Sequence, residues 1–174
     1  LSKLATDKNQ IVYSLLAPIA YNKAEETEVR LAALTLLFIS NPVQAFWNRV
    51  ALSTWYEPNT QVAHYVYTTI ASKVLNKDPT YREVVTRAEA ALPLMKPMYW
   101  TSHGAVKYVK AGYVENTRLG YVTEVSNFPG FESYLPSHHY VSKYLNIGPW
   151  FTKLFEYAIE TRHAEKFLDN LIGA

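Results

Sequence analysis

The sequence predicts a mainly α-helical fold, in which an α-solenoid of paired helices leads into a β-sheet segment. Apolar side chains recur at helical spacing through the first 103 residues, which contain no glycine. All six glycines follow, in a half of the chain where tyrosine and valine alternate with polar residues. Helix starts recur at intervals of 33 and 37 residues, which is typical of stacked pairs of antiparallel helices.

The first half shows apolar stripes at the i, i+3, i+4 and i+7 spacing of helices that face a core. An early helix carries Ile11 and Leu15, and Pro18 bends or ends it. Four further stripes follow, at Val29, Ala32, Ala33, Leu36 and Leu37, at Val43, Phe46, Trp47, Val50 and Ala51, at Val62, Tyr65, Val66, Thr69 and Ile70, and at Tyr81, Val84, Val85, Ala88 and Leu92.

N-terminal signals mark two of these helix starts. Asn41, Pro42 and Gln44 are expected to serve as N-cap, first helical residue and closing residue of a capping box. Asp78 with Pro79 provides the same kind of start for the last helix of this half.

The starts recur along the chain. Asn41 and Asp78 are 37 residues apart, whereas Thr27 and Thr60, which open the partner helices, are 33 residues apart. A closed helical bundle does not require period and cap to recur together. The pattern therefore favours the solenoid, and the closed bundle is the alternative.

From about residue 101 the pattern changes to that of β-strands. Val106, Tyr108 and Lys110 alternate, and residues 121–125 and 139–144 are rich in β-branched and aromatic side chains. Turn-forming residues bound these strands, at Asn116, at Asn127, Phe128, Pro129 and Gly130, and at Gly148 with Pro149.

The final stretch returns to helical spacing, and a terminal helix is expected there. The apolar positions that indicate it are Phe151, Leu154, Phe155, Ala158 and Ile159, and later Phe167, Leu168, Leu171 and Ile172.

Composition and charge exclude several classes of protein. Of the 174 residues 49% are apolar, which is enough for a sizeable core and rules out dominant disorder. A net charge of +2 with 18% charged residues is too weak and too mixed for a nucleic-acid binder. The sequence has no cysteine, so disulfides, thiolate zinc sites and cysteine nucleophiles are excluded. The longest uncharged apolar-rich run, residues 31–43, is too short for a membrane span.

No catalytic, cofactor-binding or metal-binding residue is predicted. The sequence has no Gly-x-Ser-x-Gly, Gly-x-Gly-x-x-Gly, Walker A or His-Glu-x-x-His motif. His138 and His139 are adjacent, and neighbouring residues of a strand point to opposite faces. They are therefore expected at a surface strand end and not on one metal ion. His64 is expected on the flank of a helix.

Two further groups of residues receive structural interpretations. Glu25, Glu26 and Glu28 fall at the start of a helix, where carboxylates complement the helix dipole. Trp47 and Trp55 lie eight residues apart and are expected in the solenoid core, with an exposed aromatic platform as the alternative.

Residues 28–38, the Asn41-Pro42 pair and residues 53–70 resemble the helical domain of the large lipid transfer proteins. This family includes vitellogenins, apolipophorins, apolipoprotein B and the microsomal triglyceride transfer protein. The specific feature is an order: a helix, Asn-Pro, a helix with tryptophan, then Glu57-Pro58-Asn59 and an aromatic helix.

Within the family, the sequence Thr-Trp-Tyr-Glu-Pro at 54–58 and Tyr-Thr-Thr at 67–69 is most similar to vitellogenins of an invertebrate, insect-like kind. The resemblance covers about residues 20–100 and is thin beyond residue 118.

The resemblance implies a right-handed α-α superhelix, a helical double-layer solenoid curved like a horseshoe around β-sheets that enclose a lipid cavity. Residues 1–100 then form the C-terminal part of the solenoid domain. Residues 101–174 form the transition into a lipid-cavity β-sheet with a terminal helix. The chain, which opens on Leu1 without a targeting signal, is expected to be a piece of a longer protein.

The function that the resemblance implies is lipid transport and nutrient storage, without catalysis, in a secreted, extracellular yolk precursor of the haemolymph or yolk. The implied partners are lipids, the remaining segments of the same large protein and an endocytic receptor. No nucleic acid and no membrane span is expected. In place of a cofactor, the parent protein is expected to hold phospholipid or neutral lipid.

Three alternatives stay open. The first is a helical-repeat protein-interaction scaffold without lipid. The second is a haemolymph lipid shuttle or a clotting protein built on the same frame. The third is an enzyme whose catalytic groups lie elsewhere in the parent chain.

Overall fold

The computed structural model describes residues 9–98, 105–129, 136–148 and 150–161. Within these ranges, five α-helices are followed by a four-stranded antiparallel sheet of order β1-β2-β3-β4. The helices are α1 (Asn9–Tyr21), α2 (Thr27–Ile39), α3 (Gln44–Ser53), α4 (Thr60–Val74) and α5 (Arg82–Ala91). The strands are β1 (Val106–Val114), β2 (Leu119–Pro129), β3 (Pro136–Ile147) and β4 (Trp150–Glu160). Short 3₁₀ turns lie at Pro79–Tyr81, Leu92–Leu94 and Glu115–Thr117.

The prediction that a helical region leads into a region of strands is confirmed. Helices α2 and α4 begin at the predicted residues, Thr27 and Thr60. Asn59 caps α4, because its side-chain oxygen accepts hydrogen bonds from the backbone N–H groups of Gln61 and Val62 at 3.0 and 3.3 Å. The three predicted strand segments lie within β1, β2 and β3.

The predicted start of α3 is wrong. The helix begins at Gln44, and its N-cap residue Val43 forms no side-chain capping bond. Asn41 instead takes a left-handed conformation with φ of 47°, two residues beyond the end of α2. The guanidinium of Arg87 donates to the Asn41 side-chain and carbonyl oxygens at 2.8 and 3.1 Å and to the Pro42 carbonyl at 2.9 Å. This long-range contact holds the Asn-Pro pair as a helix end.

The predicted role of Asp78 is confirmed for the turn before α5, whereas α5 itself begins at Arg82 and its N-cap residue Tyr81 forms no side-chain capping bond. The Asp78 side chain accepts a hydrogen bond from the backbone N–H of Thr80 at 3.0 Å and caps the 3₁₀ turn Pro79–Tyr81, which leads into α5. Proline at the first position of this turn agrees with the sequence pattern.

The helix predicted over residues 151–159 is wrong, because residues 150–160 form strand β4, which pairs antiparallel with β3. The pairing skips Leu154 at a register shift opposite Lys143 and Tyr144, so the apolar side chains change faces along the strand. A bulged strand and a helix thus share a similar apolar spacing, and only pairing with β3 distinguishes them. The remaining part of that prediction, residues 167–172, lies outside the described residues.

The largest hydrophobic core lies among the helices. Phe38, Phe46, Trp47 and Tyr65 are fully buried there. The ring of Phe38 meets those of Phe46 and Trp47 edge to face, with centroids 5.6 and 5.2 Å apart. These contacts fix the helices that support the sheet.

One buried ion pair closes this core. Arg30 of α2 makes a bidentate pair with Glu57, at 3.0 and 2.6 Å, and its Nε donates to the carbonyl of Ala20 at 3.2 Å. The guanidinium thereby ties the end of α1 and the segment before α4 to α2.

We expect Leu34→Asp to destabilise the protein far more than Glu26→Ala. Leu34 is buried in the helical core, so an unpaired carboxylate there lowers the free energy of unfolding by several kcal/mol, on the order of the cost of burying a lone charge. Glu26 is exposed and forms no capping bond, so its removal costs roughly 0.3 to 1 kcal/mol at most. Thermal melts of both variants measure this, and equal shifts would contradict the assignment of the buried face.

Candidate functional site

The sheet has two faces of opposite character. In β1, Lys107 and Val109 are buried against the helices, whereas Tyr108 and Lys110 point away from them. Cross-strand pairing extends the two faces to β4. The inner face, towards the helices, includes the buried residues Lys107, Val109, Val122, Glu124, Ser126, Ser142, Tyr144 and Asn146. The outer face includes Tyr108, Val114, Leu119, Tyr121, Ile147, Trp150, Phe155, Tyr157 and Ile159, which are 38% to 78% exposed.

This polarity is the reverse of the usual arrangement. An antiparallel sheet that packs on helices commonly turns its apolar face to them and its polar face to water. Here charged and hydroxyl groups fill much of the covered face, and large apolar side chains occupy the open one. The open face is therefore a candidate surface for an apolar ligand.

Three charged side chains join helix α4 to the inner face. The Glu124 carboxylate in β2 lies 3.0 Å from Lys107 Nζ in β1 and 3.2 Å from Lys73 Nζ in α4. Each of the three side chains is at most 6% exposed. The carboxylate thus holds a helix and two strands together in a region with little water.

The pKa values of this triad follow from burial and mutual attraction. Burial by itself raises the pKa of Glu124, but the charges of Lys107 and Lys73 overcome that effect and hold the pKa at about 2. Burial lowers the pKa of Lys107, yet attraction to the Glu124 carboxylate more than offsets it, so the net pKa is raised. For Lys73, burial dominates and the pKa is lowered in spite of Glu124. Glu124 and Lys107 therefore form the main ion pair.

A second polar contact connects the 3₁₀ turn before α5 to the inner face. The amide of Asn146 donates to the Asp78 carboxylate and, at 2.9 Å, to the Thr80 hydroxyl. Gly120 pairs with Asn146 across the strands, and a Cβ atom there would lie 2.6 Å from Asp78 Oδ2. The absence of a side chain at Gly120 thus lets the capping carboxylate reach the sheet.

His64 lies on helix α4, on the side that faces the start of β1. It is buried, and its Nδ1 lies 3.0 Å from the carbonyl oxygen of Ala105, just before β1. The sequence prediction missed this because the sheet that covers this side of α4 follows about 40 residues later.

The two adjacent histidines contact side chains of the protein. His138 and His139 are adjacent on β3, as predicted. His138 lies 3.9 Å from Glu28 and 3.8 Å from Glu160, on opposite sides of its ring, while His139 contacts Asn127. No group of three or more potential metal ligands occurs among residues 9–98, 105–129, 136–148 and 150–161.

The acidic residues lie at the start of α2, as predicted, with Glu26 at the N-cap position and Glu28 in the first turn. Trp47 is in the core, as predicted, and its Nε1 donates to the Pro42 carbonyl at 3.1 Å. Trp55 is not: it is half exposed and donates to the Leu94 carbonyl at 3.0 Å. It follows the end of α3, where the helical spacing from Trp47 no longer applies.

The charged triad and the reversed polarity of the sheet were not predicted from the sequence. The signal was present in β1 and β2, where Lys107 and Glu124 alternate with tyrosine, threonine and valine. Alternation alone does not say which of the two sets faces the helices.

Both the helical part and the sheet are similar to parts of known proteins. The family model described as Vitellogenin TPR domain matches residues 1–71, and the model described as Vitellinogen, open beta-sheet matches residues 106–174. A solved structure described as "Lipid-protein interactions in lipovitellin" aligns with a TM-score of 0.90 and 20% identity, over 98% of this chain and 18% of that one. The helical part and the sheet thus match domain models of one class, the large lipid transfer proteins.

Relatives by sequence agree. A vitellogenin of Bombyx mori is 26% identical over 98% of this chain and 9% of its own length. A vitellogenin of Ichthyomyzon unicuspis is 31% identical over 48% of this chain and 5% of its own. A hemolymph clottable protein of Penaeus monodon is 43% identical over 35% of this chain and 4% of its own. The chain belongs to the vitellogenin family and spans less than a tenth of these relatives, at most 9%.

We expect Glu124→Gln to destabilise the protein much more than Lys73→Met. Removal of the carboxylate leaves two buried lysines without their counter-charge, which costs about 3 to 5 kcal/mol. Methionine at position 73 leaves the pair of Glu124 and Lys107 intact and adds apolar contact, so the cost is small. Chemical denaturation measures both. Glu83→Gln, which removes an exposed partner of Arg87, is the control that should change little.

The triad also predicts a pH dependence. Because the pKa of Glu124 is lowered to about 2 from 4.5, its stabilising effect is complete above 4.5 and is lost as the pH falls towards 2. The difference in free energy of unfolding between wild type and Glu124→Gln should therefore shrink as the pH is lowered through this range. Urea unfolding at several pH values tests this, and a constant difference would contradict it.

Proposed function

We propose that the chain is a non-catalytic segment of a secreted, extracellular lipid-carrying yolk precursor, with a role in lipid transport and nutrient storage. The observation that carries the proposal is the outer face of the sheet, where each strand exposes at least one large apolar side chain, such as Tyr108 on β1 and Phe155 on β4. Large apolar side chains exposed over one face of a sheet are costly in water. Lipid acyl chains remove that cost by area alone, without a directional bond.

The polar inner face supports the same proposal. Its charged triad and the Asp78–Asn146 contact bind the sheet to the helices through polar groups. The apolar side chains of the outer face take no part in joining the two layers and are free to contact a ligand. The family similarity and the solved structure whose description names lipid–protein interactions in lipovitellin agree with lipid as that ligand.

We further propose the domain organisation that the sequence suggests. Residues 1–100 are the C-terminal part of an α-helical solenoid, a right-handed superhelix, and residues 101–174 are the transition into a lipid-cavity sheet. Support comes from the 33-residue interval between the starts of α2 and α4 and from the family model described as a TPR domain, a helical-repeat class.

The partners proposed for the whole protein are phospholipid or neutral lipid, its other segments and an endocytic receptor in the haemolymph or yolk. No helix of the described residues is long and apolar enough to cross a membrane.

A second candidate is a clotting protein built on the same frame. The 43% identity to a hemolymph clottable protein over 61 residues favours it. The two candidates differ in what the whole protein does after secretion. Cross-linking of the purified protein into a clot in haemolymph extract would favour the clotting protein.

The function is tested by extracting lipid from the full-length protein purified under native conditions and quantifying it by mass spectrometry. We expect several lipid molecules per protein, and Tyr108→Asp should lower that number because it places a carboxylate in the apolar outer face. Tyr56→Asp is the matched control, since Tyr56 is 80% exposed and lies on the helical side. A wild-type protein without phospholipid or neutral lipid would favour the scaffold without lipid.

The 174-residue chain produced alone is expected to self-associate or to bind a hydrophobic dye. Its outer face and both faces of β4 are open to water, and β4 is an edge strand. Added phospholipid should reduce dye binding because it covers the same surface. Size-exclusion chromatography and dye fluorescence measure this, and a compact monomer that binds no dye would remove the main physical support for the lipid surface.

A further inference from the structure

One cross-strand row of the apolar outer face contains two cations, Lys110 and Lys143. Strand pairing sets Lys110 opposite Thr123, and Thr123 opposite Lys143. These residues alternate with the buried inner-face residues, so their side chains lie on the outer face. The two lysine Cα atoms are separated by two strand spacings, roughly 10 Å. Long lysine side chains at this separation can reach a single anionic group between them.

Apolar and aromatic rows border the cationic row on both sides. One neighbouring row consists of Tyr108, Val125, Val141 and Tyr157, and the other contains Tyr121 and Leu145. The cations therefore lie midway along the strands, Lys110 on the edge strand β1 and Lys143 on the inner strand β3.

The outer face holds no carboxylate among the residues that the structure describes. By register, Glu124, Glu156 and Glu160 lie on the inner side. Neither Lys110 nor Lys143 takes part in an ion pair within the described ranges. The face therefore has a net positive charge that its own side chains do not balance.

An aromatic ring orients one of the two lysines. Lys143 Nζ lies 5.9 Å from the ring centroid of Tyr121, within cation–π range. The Tyr121 ring lies across Gly112 on the neighbouring strand, and a Cβ atom at that glycine would collide with the ring. Gly112 thus lets the ring lie close to the sheet, with the ammonium group of Lys143 above it.

Charge balance then limits which lipid fits the surface. Lysine stems can lie along an apolar surface, but an ammonium group surrounded by acyl chains is costly without a counter-charge. Because the described residues supply none on this face, an anionic ligand fits it. We propose that Lys110, Thr123 and Lys143 bind the phosphate-bearing headgroup of an anionic phospholipid, while the neighbouring rows hold its acyl chains. This inference rests on the lipid-carrying function proposed above and adds a headgroup preference to it.

The test uses the full-length protein, incubated with vesicles of phosphatidylcholine that contain isotopically labelled phosphatidylserine and phosphatidylcholine. The protein is then separated from the vesicles, and both labelled lipids are quantified by mass spectrometry. We expect wild type to take up phosphatidylserine in excess of its share in the vesicles. Lys110→Gln with Lys143→Gln should lower this enrichment by up to roughly thirtyfold, as expected for two lysines that each contribute about fivefold towards an anionic headgroup. Total lipid uptake should stay close to that of wild type.

Two control variants separate charge from folding. Lys77→Gln with Lys96→Gln removes the same charge from exposed positions on the helical side and should leave the enrichment unchanged. Lys110→Arg with Lys143→Arg keeps the charge and should retain it.

The outcomes that overturn the proposal differ from those that overturn the function. Lipid uptake without enrichment of phosphatidylserine in wild type, or equal enrichment in the Lys110→Gln/Lys143→Gln protein, shows that the row does not select the headgroup. Absence of any lipid uptake by wild type overturns the lipid-carrying function and this inference with it.

Discussion

The attachment of the sheet to the helices depends on one buried carboxylate. Glu124 lies between Lys107 on the neighbouring strand and Lys73 on helix α4, with almost no exposure to solvent. Such a group is stabilising only while both its geometry and its partners are in place, because a lone charge at the same depth costs several kcal/mol, on the order of a large fraction of a domain's stability. The interface therefore tolerates little displacement of α4 relative to β1 and β2.

Use of polar groups for this attachment changes what the sheet can do. In an ordinary layered fold, apolar side chains join sheet to helices and polar ones meet water. Here the triad, together with Asp78 and Asn146, joins the two layers, and much of the apolar surface is on the open side. The arrangement suits a protein whose function requires an apolar surface large enough for lipid, and it explains the absence of a directional binding motif from the sequence.

The similarity to vitellogenins and the physical properties of the chain support each other at different levels. The solved lipovitellin structure is 20% identical to this chain, so it supports the fold alone. The arrangement of this chain's own residues supports the lipid surface and the cationic row of Lys110 and Lys143. The row interrupts an otherwise apolar surface with charge that no described side chain of that face balances, which is why it bears on the kind of lipid and not only on its presence.

The sequence by itself determined the elements that local chemistry controls. Helical apolar spacing located α2 and α4, the Asp78 cap located the approach to α5, and alternation located β1 to β3, because each signal lies within a few residues of its effect. Only the tertiary structure decided the rest. Asn41 ends a helix because Arg87, 46 residues later, binds it, and β4 is a strand because β3 pairs with it. Lys73, 51 residues before Glu124, likewise decided which face of the sheet turns to the helices, because it pairs with Glu124. Alternation along a strand marks two faces but does not say which of them a distant element covers.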